Sequence, residues 1–335
     1  MPLVNVDLAS YCQGFSQASA PWPPLPLPKA PELAWWERVA AAGVDGALQG
    51  QPVLAALANA LPQLRLPQQE GISSSELYKA LVLRGDNPEA ASIAAVGKPP
   101  EWHSPEALRL WIAPHPCGAL PVVQTSSWHD FVQLVRALAY RGEPVELADG
   151  VHAQAVSGLI HWGLIQAFGR QSRAQLILLH EAPYGSVPAS AVPGDLTDDA
   201  WLAASTTLRL EHELTHLATK RLLGEMRLNL LDELIADCMG MVVALGEFNA
   251  ELFGRCLGMG SGTGRWTTYT TTLNDMDAHQ ACERVMLRAY ELEHRFSQQP
   301  EWLQPEQAMR RLRWLCLQRL DQSMLELVQD TSSIE

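Results

Sequence analysis

The chain has 335 residues, and its 24 Lys plus Arg against 37 Asp plus Glu give a formal charge of −13. With 47% hydrophobic and only 18% charged residues it reads as a folded globular chain, and its acidity leaves no footprint for nucleic acid or an anionic membrane surface. The six cysteines form no C-x-x-C pair, MPLVNVDLAS has no leader character, and no apolar run is long enough to span a bilayer. Together these point to a reducing, cytoplasmic setting.

Taken in order, residues 1–31 end in PWPPLPLPKAP, whose six prolines favour an extended strap anchored by Trp22, Leu25 and Leu27. Residues 32–120 read as an N-terminal helical region of short helices broken by Pro and Gly: Leu33–Ala42, Pro52–Ala60, Ser74–Arg84 and Pro105–Ile112. From 121 to 330 the pattern changes to a single larger domain. Pro121–Thr125 is a strand, Ser126 or Ser127 caps a helix through Tyr140, and Pro144–Ala148 is a second strand. Asp149–Phe168 has a long helical pattern, and the apolar run Gln175–His180 is the clearest strand in the chain. Glu181–Leu196 is a Pro- and Gly-bearing loop, after which Thr197 or Asp198 caps a long helix that Gly224 ends. A further helix, Arg227–Leu245, follows, then Glu247–Leu257, a Gly- and Thr-rich stretch over 258–275, and two amphipathic helices, Asp275–Phe296 and Gln304–Val328.

The chemistry concentrates in LRLEHELTHLATKRLLGEMRLNLLDELIADCMG, residues 208–240. His212 and His216 are four apart on a helix and therefore share a face, where two imidazoles can converge on one cation. Glu213 stands beside them, within reach of a water on that cation. Glu233 on the next helix completes a two-histidine, one-carboxylate set with an open position. Asp232 is the rival ligand, turned about 100° away from Glu233 on the helix. Glu233 is preferred because Asp237 follows one turn later on its face and can accept an imidazole N–H.

At His212, Glu213, His216, Glu233 and Asp237, the chain resembles the gluzincin group of zinc metallopeptidases, over roughly residues 176–246. With LVRALAYRGEPV upstream, the stretch also resembles a set of uncharacterised bacterial H-E-x-x-H proteins, which carry no assigned activity. The resemblance implies an α+β fold, mainly α, in which a zincin-like domain joins a small sheet to an active-site helix and a glutamate helix. It implies one Zn2+ per chain on His212, His216 and Glu233, with Glu213 as general base and Asp237 holding a ligand histidine. It further implies a peptide or protein substrate lying along the Leu176–Glu181 strand as an added edge strand. Leu178, His180 and Tyr184 are the substrate-binding candidates, and Tyr269, His279 and Arg265 are the candidates for stabilising the oxyanion. The two C-terminal helices form the lower wall of the cleft or a homodimer interface. The expected function is a zinc-dependent hydrolase acting on amide bonds; the alternative is a non-catalytic zincin-like protein whose metal staples two helices in a partner-binding or regulatory module.

Overall fold

The computed structural model describes residues 6–148, 150–259 and 264–325. The chain divides into two compact units: Leu25–Ala182 forms one, and the chain before and after it forms the other. Both contain helix, but the four strands all lie in the first, so the fold is α+β and mainly α. The division departs from the expected boundaries at 31 and 120. The first described helix, α1 (Leu8–Tyr11), belongs to the flanking unit.

Within the inserted unit, α2 (Leu33–Leu48) and α3 (Val53–Ala60) are followed by a sheet ordered β1-β2-β4-β3. The strands are β1 (Arg109–Ala113), β2 (Leu120–Thr125), β3 (Ala153–Leu159) and β4 (Ala174–His180). Strand β1 runs antiparallel to β2, with Leu110 opposite Val123, and this hairpin ties residues before 120 to those after it. That pairing is why no domain boundary falls there. Strand β2 runs parallel to β4, with Val123 opposite Leu178, and β3 pairs antiparallel on the far side of β4. Helices α4 (Trp128–Leu138) and α5 (Trp162–Phe168) complete the unit, and Ser127 Oγ accepts from Asp130 N at the start of α4. Trp36, Leu57, Phe131, Leu134, Val123, Leu176 and Leu178 share one hydrophobic core.

Three expected elements are corrected. Pro105–Ile112 is not a helix: Pro105–Ala107 makes a single tight turn and Arg109 begins β1. The helix expected from 149 is instead β3 followed by α5; Asp149 itself lies outside the described residues. Pro144–Ala148 forms no strand. In the first two cases pairing with a neighbouring strand outweighs local periodicity, because an exposed ladder edge must find partners for its N–H and C=O groups.

The flanking unit is built of helices and the loops between them, with no strand among its described residues. Helix α6 (Asp198–Leu223) begins at Thr197, whose side chain accepts from Ala200 N, and ends at Gly224 with φ 74°. Asp198 and Asp199 in its first turn and Lys220 and Arg221 in its last complement its dipole. After a short turn, Asn229 caps α7 (Leu230–Leu245) by accepting from Asp232 N at 3.1 Å. Every residue of α7 from Leu230 to Val242 is buried, which marks it as the central helix of this unit. After it come α8 (Ala250–Cys256), the single-turn α9 (Trp266–Tyr269), α10 (Asp275–Gln298) and α11 (Ala308–Cys316), and α6, α10 and α11 pack against it. The expected last helix is thus shorter, and its end from 326 lies outside the described residues. No helix among the described residues is long and apolar enough to cross a membrane.

Candidate metal centre

Helices α6 and α7 pack closely enough to bring their polar faces together. A β-carbon built on Gly240 of α7 would lie 2.7 Å from the carbonyl oxygen of Leu208 in α6, so the backbones meet where only glycine fits. One turn beyond Leu208 is His212, and one turn before Gly240 is Asp237.

His212, His216 and Glu233 form a buried group that could hold a metal ion. Their exposures are 5%, 7% and 2%. His212 Nε2 and His216 Nε2 are 3.0 Å apart, His216 Nε2 is 3.2 Å from Glu233 Oε1, and His212 Nε2 is 3.6 Å from Glu233 Oε2. A tetrahedral ion with bonds of about 2.0–2.1 Å separates its ligand atoms by about 3.3 Å, within the range these pairs span.

The outer nitrogen of each ring faces a carboxylate. His212 Nδ1 lies 2.7 Å from Asp237 Oδ1, and His216 Nδ1 lies 3.3 Å from Asp232 Oδ1. Asp232 also accepts from the Arg227 and Leu228 backbone amides, both at 3.1 Å, which fixes its carboxylate. With the Nδ1 atoms set against carboxylates, the Nε2 atoms of both rings face the same point. Two ring nitrogens 3.0 Å apart, with a carboxylate alongside, suit a cation between them. Burial alone would lower His216, but Asp232 and Glu233 outweigh it and raise its pKa well above the ordinary imidazole value. Burial would raise Glu233, but His212, His216 and Arg265 hold it low. The donor set and its outer partners therefore fit a divalent ion.

Asp232 is thus not an unused rival. It and Glu233 contact the two nitrogens of the same ring, a role that helical geometry, which turns them apart, did not suggest. Arg265 approaches from another side: its Nη2 lies 3.5 Å from Glu233 Oε2, and it donates to Tyr269 Oη at 3.2 Å. Both residues therefore reach the cluster. His279 does not join them: it is exposed on α10, its Nδ1 is 2.6 Å from the Asp275 carbonyl, and its ring packs on Trp266.

The substrate-binding candidates are placed differently from expectation. Strand β4 is central, paired with β2 and β3, so Leu176–Glu181 is no free edge for an added strand. Leu178 is fully buried in the core, and the His180 ring packs against Trp128, Phe131 and His152. Tyr184 is buried at 3% exposure and donates its O–H to Asp237, with its oxygen 3.0 Å from His212 Nδ1. Burial and Asp237 raise its pKa well above normal, so it remains a phenol that braces Asp237 rather than meeting a ligand. Arg209 lies 5.5 Å from the Tyr184 ring and, lowered by burial to a pKa of about 10, stays charged at neutral pH. Glu213, next to His212 on α6, is partly exposed, and its charge acts on Arg209 one turn before it.

Comparison with known proteins gives no activity. No curated protein and no solved structure matches the chain. The model of a family of unknown function, DUF7005, matches residues 6–175 and 171–327. The match spans nearly the whole chain, which therefore belongs to that family of unknown function.

Proposed function

We propose that this protein is a zinc-dependent hydrolase of the zincin-like kind, acting on amide bonds of a peptide or protein. The observation that carries the reading is the convergence of His212 Nε2, His216 Nε2 and Glu233 at 3.0 to 3.6 Å, each histidine backed by its own carboxylate. Nitrogen and carboxylate donors in this number leave a position open, as in catalytic rather than structural zinc sites. A zinc ion held there supplies Lewis acidity, polarising a carbonyl and making water acidic near neutral pH.

The chain's own residues do the rest. Asp237 and Asp232 hold the two rings in the tautomer that presents Nε2. Glu213, partly exposed beside His212, takes the proton of the attacking water and returns it to the leaving nitrogen. Arg265, with Tyr269 hydrogen-bonded to it, supplies positive charge beside the centre for a developing oxyanion.

A second reading has one observation in its favour. The three ligand residues are nearly closed off, and Arg265 is already paired with Glu233, as expected of a metal that staples α6 to α7 without turnover. Metal content measured by plasma mass spectrometry on tag-free protein, beside His216→Ala, tests what the readings share. One zinc per chain, lost in the variant, is expected; a native protein that takes up none after zinc addition would remove both. Glu213→Gln then separates them. It should keep zinc and fold while losing cleavage of a peptide library, and a wild type that cleaves nothing or a variant that cleaves equally well would defeat the hydrolase.

A further inference from the structure

The metal-centre helices are fastened by a residue from the opposite end of the chain. Tyr11 is 4% exposed in the flanking unit. Its hydroxyl accepts from Leu230 N at 3.0 Å and donates to the Tyr269 carbonyl at 3.0 Å. Its own carbonyl accepts from Asn229 Nδ2 at 3.2 Å. Asn229 is the cap of α7, and Leu230 N is one of the amides that a helix start leaves without an internal partner. Tyr269 ends α9, the turn that begins beside Arg265. One side chain therefore joins the start of the helix carrying Asp232 and Glu233 to the turn whose Arg265 pairs with Glu233.

We propose that Tyr11 is a positioning residue for the metal centre, setting where Glu233 stands relative to the two histidines and where Arg265 and Tyr269 stand relative to Glu233. The inference rests on the metal reading above. The rest of the arm secures Tyr11 in place. Arg227 Nη1 donates to the Gly14 carbonyl at 2.6 Å, Leu320 N donates to the Cys12 carbonyl at 3.0 Å, and Ser16 donates from its amide and hydroxyl to Glu225 Oε1 at 2.5 and 2.8 Å. A burial-raised pKa keeps the Tyr11 hydroxyl protonated, as its donation to Tyr269 requires. Glu233 lies in the first turn of α7, so a helix start freed to fray moves it directly.

Tyr11→Phe tests this, because it keeps the ring and removes only the hydroxyl. Glu225→Gln is the comparison, weakening the charged hold on Ser16 without touching Tyr11. Zinc affinity is read by competition with a chromophoric chelator, the coordination geometry by the visible spectrum of the cobalt form, and amide exchange by mass spectrometry on the metal-free full chain. Tyr11→Phe should weaken zinc about tenfold, alter the cobalt spectrum, and speed exchange at residues 229–234 and 266–270. Glu225→Gln should do none of these. Unchanged exchange in Tyr11→Phe, unchanged zinc affinity, or an equal loss of affinity in Glu225→Gln would each overturn the proposal while leaving the metal centre standing. A wild type that takes up no zinc or cobalt would overturn both.

Discussion

Replacing Gly240 by alanine adds one methyl group between α6 and α7, and general helix propensity says it should help. Alanine is favoured over glycine inside a helix by roughly 0.5–1 kcal/mol. The local structure says the opposite. The added carbon would stand 2.7 Å from the Leu208 carbonyl oxygen and 3.2 Å from Leu208 Cδ2. An ordinary carbon–oxygen contact is about 3.3 Å, so the helices must part by about 0.6 Å at that point. Overpacking of this kind costs about 1–3 kcal/mol. Setting the propensity gain against it leaves a net loss of about 1 kcal/mol, or a fall of about 3 °C in melting temperature. The effect on metal should be larger in proportion, since ligand distances tolerate only about 0.2 Å and the wedge sits one turn from both His212 and Asp237. Thermal melting of the metal-free protein and zinc competition on the same preparations measure the two effects. A Gly240→Ala protein that melts higher and binds zinc as tightly as wild type would refute the claim that the two helices meet at backbone distance.

Two further outcomes follow from the inserted unit. Leu178 is fully buried in the central strand, so Leu178→Ala should destabilise by about 2–5 kcal/mol in denaturant titration; near-native stability would restore the idea that it faces a substrate. His161 is 3% exposed against Trp35, and its Nε2 has no hydrogen-bond partner among the described residues. Burial lowers its pKa to about 4, below the unfolded value, so the neutral ring's contribution is complete above pH about 6.5 and is lost as pH falls toward 4. Wild type should lose about 3 kcal/mol more over that interval than His161→Phe; equal losses in chemical denaturation would show that the ring is not held neutral.

Much of the centre was legible because a helix converts spacing into direction. His212, His216, Glu233 and Asp237 meet as their positions require, and the caps at Thr197 and Gly224 bound the helix that carries the histidines. Helical spacing could not show that Asp232 would contact the other nitrogen of His216, because that depends on how α7 rotates against α6. Nor could it show Tyr184 and Tyr11, which arrive from a loop and from the far end of the chain. The sheet was half legible. β2 and β4 are apolar runs, but Ala153–Leu159 is built of small residues with helix-compatible spacing, and only its pairing with β4 makes it a strand. The same pairing hid the centrality of β4, since strand order is a property of partners and not of the strand itself.

The position of β4 also has a consequence for how the protein is made. β4 lies between β2 and β3 yet is the last of the sheet's four strands among the described residues. A nascent chain that has just released β3 has β2 and β3 in hand, each with a ladder edge whose native partner is not yet made. Those edges close together, when residues 174–180 emerge and fill the gap. Until then the ribosome-bound chain presents two sticky margins at once, the condition under which pairing with another chain competes with folding. Any fragment ending before residue 174 would carry that condition permanently.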